Sequence, residues 1–563
     1  MRRFMTDVAG HCQAARAGAE GVGGPRDSRW ARAGAADSLR PLIPRAVQRV
    51  LPWLLLLLAA QVGASESGAT AVPATVPKTA SHPGRLAAAA YCSQCHLQPS
   101  PEDLDRRTWH EELLPKMRYL VGLEPPPTNG YFRDLPRLVE AGYFPKVPRI
   151  PADQFDRIAD YYTNAAPDRL ASVQDGARIE VGLPLFRAEA APFRRSPQRT
   201  PYVHIDVPNH AYLAADITTQ GIDVLDAAGR AIGSMPLGNI PVSMASNDRH
   251  WYFAAIGHFF PREEPVGQVL RVDRRAAKPV PVPILSGQPR LSHVNLGDLN
   301  GDGLDDLTVC GFGNFLGRFL WLEGLRDGTF AERVLLNEPG ALRCEIRDLD
   351  GDGKPDLLLL QAQARETLHL YRNQGGGAFE HRTVFQRRPG WGHSGFELAD
   401  FDGDGRPDIL VTNGDNADFG TSPPKPHHGV RILLNRGGLR WEEAWFGAMN
   451  GAYRALARDF DGDGDLDIAA ISFFPDYPIT PQEGFLYFEN TGGKGRLEFR
   501  ARTLRQGVTG RWISMDAGDL DGDGDEDLVL GSLIEMPTDV PEKLKSLWKE
   551  KGPSTLILRN QTR

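Results

Sequence analysis

The sequence predicts a multidomain protein in which a small all-α domain is followed by an all-β propeller of seven blades. Three observations lead to this fold class. A nine-residue phrase that begins Asp298-Leu-Asn-Gly-Asp-Gly recurs five times at intervals of 50 to 60 residues, and such a period indicates a repeat architecture. A short apolar run follows every copy, as expected for buried strands, whereas a separate region before residue 170 has helical periodicity.

The repeated phrase predicts a calcium loop. It places oxygen-bearing side chains at positions 1, 3, 5 and 9 and glycines at positions 4 and 6. Hard divalent cations take six or more oxygen ligands, so the spacing favours Ca²⁺, and glycine permits the sharp turn. An EF-hand would add Glu at position 12, but every copy has an apolar residue there. We predict up to five Ca²⁺ sites, with the ligands Asp298, Asn300, Asp302, Asp306, Asp348, Asp350, Asp352, Asp356, Asp400, Asp402, Asp404, Asp408, Asp459, Asp461, Asp463, Asp467, Asp519, Asp521, Asp523 and Asp527.

The loops are predicted to lie between strands of propeller blades. A second strand-like phrase follows each loop, and units of about 40 to 60 residues with several short strands are typical of blades. Four further strand-like phrases without loops provide two more blades, which gives seven: Tyr202–Val207, Gly221–Leu225, Trp251–Ile256 and Gln268–Val272. We expect the last strand, near Leu556, to close the ring against the first blade, because closure removes exposed sheet edges.

On these residues, the repeats resemble the FG-GAP or VCBS type of calcium-loop blade known from the integrin α-subunit propeller. The resemblance covers about residues 290 to 560. It implies a closed β-propeller whose loops hold Ca²⁺.

The N-terminal region predicts export. Arg45 and Arg49 precede the apolar run 51–60, and the small residues of Val62-Gly-Ala64 fit a signal-cleavage site. The alternative is an uncleaved signal anchor, but the run is about half of the ~20 residues that span a bilayer. We expect a periplasmic or extracellular protein without a stable membrane span after cleavage, or a membrane-associated one if the signal is uncleaved.

The phrase Cys92-Ser-Gln-Cys95-His96 matches the attachment signature of c-type haem. Both thiols are expected to bond to the haem, and His96 is expected to ligate its iron. The alternatives are a thioredoxin-like redox pair and half of a zinc site. No thioredoxin-like pattern surrounds the phrase, and no second Cys or His pair lies near enough in sequence to complete a zinc site. We predict one covalent haem c.

Two residues are candidates for the sixth ligand of the iron. Met117 is the only methionine between residues 92 and 170, and a thioether ligand would raise the reduction potential. His110 is the rival, although its charged neighbours are also typical of a solvated surface histidine. The sequence favours Met117.

The segment after Pro151 places Phe155, Ile158 and Tyr162 at helical spacing. With the haem phrase, this segment resembles the closing helix of small soluble c-type cytochromes, and the resemblance covers about residues 84 to 167. The chain departs from that pattern in the proline-rich stretch 124–127 and in the short interval between His96 and Met117. The resemblance implies electron transfer through the haem.

These patterns divide the chain into five parts. They are a leader with a signal peptide (1–64), a linker (65–83), the cytochrome c-like haem domain (84–167), a second linker (168–180) and the FG-GAP/VCBS propeller (181–563). The formal net charge is −8, and the acidity lies mostly in the predicted calcium loops. Since no basic patch is visible, we expect no nucleic-acid partner.

Two further features of the propeller leave alternatives open. Cys310 and Cys344 follow and precede calcium loops, and they form either a disulfide between neighbouring blades or two separate buried thiols. Polar and aromatic residues just before the loops are expected to face a central channel, and a second polar cluster follows the third loop. The residues of both groups either form a ligand site or are ordinary water-facing side chains. They are His293, Arg343, His393, Tyr453, Arg454, Arg511, Trp512, Asn413, Asp415, Asn416, Asp418, His427 and His428.

Three functions are compatible with this organisation. The first is one-electron transfer, with a calcium-stabilised propeller that docks a redox partner protein or a substrate. In the second, the propeller is an oxidoreductase module that passes electrons from a small-molecule or carbohydrate substrate to the haem. The third is an adhesion or glycan-binding propeller with a haem sensor. An electron-transfer protein is favoured over a stand-alone enzyme, and no catalytic residue is assigned because no nucleophile-and-base spacing is visible.

Overall fold

The structure is a computed structural model that describes residues 82–128, 132, 134–171, 179–418, 420, 423–535 and 540–562. The predicted leader, with its signal peptide, lies outside these residues, as do nearly all of the first linker and residues 172–178 of the second. Export therefore stays a prediction. Among the described residues, no helix is both long enough and apolar enough to cross a membrane.

Residues 82–171, here called the helical region, contain four α-helices and shorter helical turns. The α-helices are α1 (Pro83–Tyr91), α2 (Leu114–Leu120), α3 (Leu135–Glu140) and α4 (Ala152–Ala165). Short 3₁₀ turns span Cys92–Gln94 and Pro101–Asp103, and a π-helical segment, Thr108–Leu113, continues directly into α2. The helix predicted after Pro151 is confirmed as α4, and its three predicted apolar residues are buried.

The first and last helices of this region cross at a glycine. A Cβ atom at Gly84 would lie 1.9 Å from the backbone oxygen of Arg157, so only glycine permits this approach. Ala87 and Ala88 continue the buried contact along α1. A shared apolar core with α4 results, although these helices by themselves do not identify a cytochrome.

The rest of the described chain forms the predicted seven-bladed propeller. Each blade contains a four-stranded antiparallel sheet. In six blades the four strands follow chain order, and one of these six gains an extra edge strand. The first three blades contain β3 (Val203–Asp206), β4 (Ala211–Asp216), β5 (Gly221–Asp226) and β6 (Ala231–Pro236); β7 (Pro241–Ser246), β8 (His250–Ala255), β9 (Gly267–Asp273) and β10 (Val282–Gln288); and β11 (Leu291–Gly297), β12 (Asp306–Gly311), β13 (Arg318–Gly324) and β14 (Phe330–Leu336).

The next three blades carry the second, third and fourth repeated loops, each between the first and second strands. Their strands are β15 (Ala341–Arg347), β16 (Asp356–Gln361), β17 (Thr367–Gly375) and β18 (Ala378–Gln386); β19 (His393–Ala399), β20 (Asp408–Asn413), β21 (Gly429–Asn435) and β22 (Trp441–Ala448); and β23 (Ala452–Arg458), β24 (Asp467–Ser472), β25 (Phe485–Asn490) and β26 (Phe499–Thr503). The extra strand β1 (Glu180–Val181) pairs in parallel with β26.

The seventh blade closes the ring differently from the sequence prediction. It contains β27 (Trp512–Gly518), β28 (Asp527–Ser532), β29 (Thr555–Asn560) and, as its outermost strand, β2 (Phe186–Ala190). The last strand near Leu556 is therefore the third strand of its own blade and does not close against the first. Closure comes from the N-terminal strand β2, which pairs with β29, because short-range sequence patterns do not show which chain end supplies an edge strand.

Burial explains why the second strands were readable from sequence. In β12, β16, β20, β24 and β28, every residue is buried, and strands buried on both faces appear as continuous apolar runs. A further helix, α5 (Glu542–Lys551), lies between β28 and β29 and buries Trp548.

Cys310 and Cys344 are two free, buried thiols in one apolar cluster between the third and fourth blades. The structure therefore contains the second of the two predicted alternatives.

Candidate functional site

The Cys-x-x-Cys-His segment continues from the C-terminal end of α1. Cys92 is half-buried, Cys95 is exposed and both are free thiols. His96 Nδ1 lies 2.9 Å from the carbonyl oxygen of Leu97, which leaves Nε2 as the ring nitrogen available to a metal. Burial lowers the pKa of His96, so the imidazole is neutral at pH 7, the state that ligates iron.

The thiols do not resemble a catalytic redox pair. Burial, together with the neighbouring Cys95, raises the pKa of Cys92 to about 11 against the opposing effect of a hydrogen bond with Tyr162. Reactive redox cysteines have depressed pKa values because the thiolate is the nucleophile. This environment disfavours the thioredoxin-like alternative and is compatible with thiols that become thioethers.

An apolar wall adjoins this segment. Trp109 and Tyr162 stack with ring centroids 4.4 Å apart, and the Tyr162 hydroxyl donates to the carbonyl of Pro99 at 2.9 Å. Cys92 and Met117 both pack against this cluster. An apolar surface beside the attachment cysteines is what a haem face requires, so the residues present fit the predicted group, and the haem itself stays a prediction.

The two candidate axial ligands have different environments. Met117 lies on α2, is half-buried and packs on the same apolar cluster as Cys92. His110 lies in the π-helical segment and is exposed. Met117 is thus the more buried of the two candidates, and its role as a haem ligand stays a prediction.

The helical region contacts the propeller beside the cysteines. Arg365, in the loop between β16 and β17, donates a hydrogen bond to the carbonyl of Cys95. Arg388 pairs with the buried Asp103 at 3.0 Å. Lys116 Nζ, next to Met117, donates to the carbonyl of Asp418 at 2.9 Å.

A second group of contacts surrounds a buried carboxylate. Glu263 accepts hydrogen bonds from the backbone N–H groups of Asn314, Phe315 and Leu316 at 2.7, 3.2 and 2.9 Å. Its own backbone N–H donates to Asp134 of the helical region at 2.8 Å. The loop after β12 is thus held in place directly beneath the helical region.

The repeated loops share one geometry. The carboxylate at position 1 accepts the N–H of the position-6 glycine in every loop, at 2.8 to 3.2 Å. These glycines all have positive φ, which explains why no other residue occupies that position. Four loops gather three carboxylates whose oxygens lie within 4.8 Å of one another: Asp348, Asp350 and Asp356; Asp400, Asp402 and Asp404; Asp459, Asp461 and Asp463; and Asp519, Asp521 and Asp523.

The position-9 aspartates also have a structural task. They are almost completely buried, and each accepts a backbone N–H from the end of the third strand, at 2.7 to 2.9 Å: Asp306 from Gly324, Asp356 from Asn373, Asp408 from Asn435, Asp467 from Asn490 and Asp527 from Asn560. Position 9 therefore ties the loop to the blade, whether or not it also ligates a cation.

The donor set fits Ca²⁺. All side-chain donors are oxygens, and Oδ1 of Asp402 is buried without a hydrogen-bond partner among the described residues. In the second loop, cationic side chains contact the cluster, with Arg372 at 2.5 Å from Asp350 and Lys354 at 2.6 Å from Asp352. In the first loop, the amide of Asn300 donates to Asp302 and Glu323, both at 3.1 Å.

A central cavity of about 480 Å³ lies within the ring. All seven first strands contribute to its wall, because each blade begins at the ring axis. The cavity contains five of the polar residues selected from sequence: His293, Arg343, His393, Tyr453 and Arg454. The prediction that the side chains before the loops face a central channel is confirmed for these five and is wrong for Arg511 and Trp512, which do not line the cavity.

Other predicted residues lie beside this cavity. Arg511 is buried with its guanidinium 4.1 Å from the Phe473 ring centroid, and Trp512 Nε1 donates to Gly507 at 2.7 Å. His427 stacks on Trp391 at 4.8 Å, and His428 is buried. These four are packing residues, not cavity walls.

Asp415 and Asp418, from the predicted second cluster, line the cavity together with Arg290 and Tyr453. We call these four residues the mouth group. They lie at the part of the cavity where Asp418 contacts the helical region. Burial and the neighbouring Asp418 raise the pKa of Asp415 to about 6. Arg290 donates to Asn314 at 2.5 Å and to the carbonyl of Phe259 at 3.0 Å.

Asn413 and Asn416 instead stabilise the loop that carries this group. Asn413 Nδ2 donates to the carbonyl of His427 at 2.6 Å, and Asn416 Nδ2 donates to the carbonyl of Pro423 at 2.8 Å.

A second set, here called the arginine group, consists of residues that influence one another electrostatically. It contains Tyr202, His204, His293, Arg343, Arg454 and Asp516. Sequence reasoning missed Tyr202, His204 and Asp516 because they precede no loop or sit within a strand. The alternation of polar and buried residues in β3 is the one signal that could have found His204.

One loop connects the haem phrase with this cavity. Between β16 and β17, Gln363, Ala364 and Glu366 all have positive φ, a conformation that is uncommon for residues other than glycine and tends to occur at functional sites. Gln363 lines the cavity, Arg365 binds the Cys95 carbonyl, and Glu366 lies 2.7 Å from Nδ1 of the cavity residue His393.

Comparison with known proteins supports the repeat assignment. The family of FG-GAP-like repeats matches residues 298–359 and 348–411. These segments cover the first two loop-bearing blades and the third loop. No curated protein matches the chain in sequence.

Several solved structures are similar at low identity. The RRP9 WD40 repeats align with a TM-score of 0.41 and 12% identity over 68% of this chain and 100% of theirs. A putative 6-phosphogluconolactonase from Bacteroides uniformis gives 0.38 and 11% over 54% and 85%. The periplasmic gluconolactonase of Pseudomonas aeruginosa gives 0.36 and 15% over 55% and 84%. These similarities say nothing about the activity of this chain.

Proposed function

We propose that the protein is an exported c-type haem protein that performs one-electron transfer, with a calcium-stabilised propeller that docks its partner or substrate. The observation that carries this proposal is the Cys92-Ser-Gln-Cys95-His96 segment itself. Its thiols are free, its imidazole is neutral with Nδ1 engaged, and an apolar wall lies beside it.

Different residues of the helical region have different roles in this proposal. Cys92 and Cys95 would hold the haem covalently, and His96 and Met117 would ligate its iron. A bound haem supplies reversible one-electron oxidation and reduction of its iron. The buried cluster around Trp109 and Tyr162 excludes water from one side of the site, and low polarity together with the thioether ligand favours a raised potential.

Calcium has a structural role in this proposal. Each loop joins the first and second strands of a blade, and without a cation its carboxylates repel one another. Because binding to the folded state alone stabilises that state by mass action, calcium would stabilise the ring.

A second candidate function is favoured by the loop between β16 and β17. This five-residue connection touches the carbonyl of Cys95 through Arg365 and the cavity through Gln363 and Glu366. A substrate in the cavity would thus lie beneath the haem-attachment segment. This arrangement supports an oxidoreductase in which the propeller binds the substrate and the haem receives its electrons.

The haem assignment is tested by expressing the full chain with c-type maturation machinery and measuring haem that remains attached after denaturation. We expect one covalent haem with a sharp low-spin reduced spectrum. The Cys92→Ala/Cys95→Ala variant should lose it completely. The matched control is the Cys310→Ala/Cys344→Ala variant, which lacks two buried propeller thiols. This variant should retain the covalent haem. Absence of covalent haem in the unmodified chain would overturn the proposal.

The same protein separates the two candidate functions. Reduction of the haem by a small-molecule substrate alone, without a partner protein, supports the oxidoreductase. Reduction only by an added redox protein supports the electron carrier.

A further inference from the structure

The arginine group contains a guanidinium without a partner. Arg454, on β23, makes no hydrogen bond or ion pair with any residue that the structure describes, and its Nε is buried. Burial lowers the pKa of Arg454, and the nearby positive charge of Arg343 lowers it further. An unpaired cation therefore lines the central cavity.

The nearest carboxylates are engaged elsewhere. Asp516 accepts from the Ile205 N–H at 2.9 Å and pairs with His204 at 3.0 Å. Glu397 accepts from the Ala457 N–H at 2.8 Å and pairs with Arg458 at 2.9 Å. Both carboxylates act on Arg454 by electrostatic attraction, without a hydrogen bond or ion pair to its guanidinium.

Arg343 differs from Arg454 in its pairing. Its Nε and terminal nitrogen lie 2.8 and 2.7 Å from Glu345. Burial alone would lower the pKa of Arg343, but Glu345 and Glu397 outweigh this effect and raise it. Of the two arginines in the arginine group, Arg454 is thus the one without an ion pair among the described residues.

Such a group is costly without an anion. Burying an ion without a partner is unfavourable even after relaxation and water entry. A negatively charged ligand in the cavity would offset this penalty. The guanidinium also has a planar fork of donors that matches the two oxygens of a carboxylate.

His293 adds a neutral donor to the same group. Burial holds the pKa of this residue well below its usual range, and Arg343 and Arg454 lower it further. Nδ1 accepts the Cys344 N–H at 3.5 Å, so the single proton of the neutral ring belongs on Nε2. The ring lines the cavity and can donate there to an oxygen.

We propose that Arg454, supported by Arg343 and His293, binds the carboxylate of a small organic ligand in the central cavity. Within the arginine group one guanidinium has no ion pair with a described residue, and its planar fork favours a carboxylate group over phosphate. The ligand body would contact the apolar part of the wall, which includes Met244, Phe396 and Met515. The volume of about 480 Å³ falls within the roughly 300–1,000 Å³ of small-molecule sites.

This inference goes beyond electron transfer and requires no haem, because every contact that carries it lies in the propeller. It also specifies the chemical class of substrate for the oxidoreductase candidate. Failure of the haem assignment would leave the carboxylate site intact, and failure of the site would leave the haem assignment intact.

The test is isothermal titration of the full chain with benzoate, gluconate and succinate, and in parallel with neutral benzamide and inorganic phosphate. We expect at least one carboxylate to bind and benzamide not to bind. Arg454→Gln should weaken that binding at least tenfold, and Arg454→Lys, which keeps the charge but loses the fork, should weaken it less. The matched control is Arg382→Gln on the exposed outer strand β18, which should leave the affinity unchanged.

Thermal unfolding of each variant shows whether the fold is retained, and Arg454→Lys provides a second variant if Arg454→Gln does not fold. Three results would overturn the proposal: none of the three carboxylates binds, phosphate alone binds, or carboxylate affinity is the same in both Arg454 variants as in the unmodified chain.

Discussion

Lys116 Nζ donates a hydrogen bond to the backbone carbonyl of Asp418 at 2.9 Å. This contact joins α2, which carries Met117, to the loop that forms one wall of the central cavity. The Arg388–Asp103 pair, at 3.0 Å, provides a second connection nearby. The candidate redox site and the candidate ligand site are therefore neighbouring parts of one assembly.

Replacing Met117 by alanine should remove the distal ligand of the proposed haem. A thioether ligand raises the reduction potential, so we expect a lower potential and a partly high-spin reduced spectrum, with covalent haem retained. Reduced-minus-oxidised visible spectroscopy and potentiometry measure both quantities.

The control for Met117 is His110→Ala, at an exposed position on the preceding helical segment. It should leave spectrum and potential unchanged. A spectrum that changes in the His110 variant and not in the Met117 variant would reverse the assignment.

Asn300→Asp should strengthen calcium binding by the first loop. An added carboxylate increases the ligand charge of the site, and we expect affinity to rise about tenfold. Without calcium, the same change loses the amide donations to Asp302 and Glu323 and adds like-charge repulsion, so the Tm in chelator should fall. Calcium titration and thermal unfolding with and without calcium measure these effects.

Asn209→Asp is a matched control for this change, because its amide also donates to an aspartate, Asp206, at 2.8 Å but lies outside the loops. It should leave calcium affinity unaltered. Equal calcium affinity in Asn300→Asp and the unmodified chain would contradict the prediction.

Phe186→Ala should destabilise the closure of the ring. Phe186 lies on β2, is 6% exposed and packs with Phe460 and Tyr487, at ring-centroid distances of 5.6 and 5.9 Å. Truncating a buried phenylalanine costs about 3–5 kcal/mol. Chemical denaturation should show this loss, whereas Val181→Ala on the exposed strand β1 should change stability little. Similar stability of the two variants would argue against closure through β2.

The contribution of His204 to stability should depend on pH. Burial alone would lower its pKa, but the Asp516 carboxylate, 3.0 Å away, outweighs burial and raises it, with Asp206 adding to the rise and Arg274 opposing it. The same pairing, with help from Arg454, lowers the pKa of Asp516 against the effect of burial. The contribution of His204 is therefore fully present below its unfolded pKa and is lost as pH rises through the folded pKa. That of Asp516 is lost as pH falls through its folded pKa.

The difference in unfolding free energy between the unmodified chain and His204→Gln should thus be larger near pH ~5.5 than near pH ~9, on either side of the usual histidine range. Denaturant unfolding at both pH values measures it. His258→Gln, which removes an exposed pair with Glu264, is the comparison variant and should change the unfolding free energy little, because exposed ion pairs contribute little to stability. A His204→Gln effect that is the same at both pH values would contradict the prediction.

Local sequence was informative wherever one short segment contains all the residues that a feature needs. The repeated loop phrases predicted where the second strands begin. The loops are easy to recognise in the sequence because only glycine fits positions such as Gly303 and Gly353, with φ of 79° and 82°. The second strands could be predicted because burial on both faces favours a run of apolar residues after the initial aspartate. The apolar positions of α4 were readable from helical spacing.

Pairings between segments that are distant in sequence could not be predicted from the sequence. The role of β2 as the closing strand depends on its pairing with β29, more than 360 residues away in sequence. The arginine group brings together Tyr202, His293 and Asp516, which belong to three different blades. Of these three, only His293 was placed at a central channel from its position before a repeated loop.

The sequence by itself determined the repeat architecture, the haem-attachment signature and the candidate calcium ligands, because each of these is encoded within about ten consecutive residues. Only the tertiary structure decided which chain end closes the ring, which polar side chains meet in the cavity, and that Arg454 forms no ion pair with a residue that the structure describes. Each of these three properties depends on segments that approach one another only when the ring closes. In the extended chain these segments are neither buried nor close enough to influence one another electrostatically.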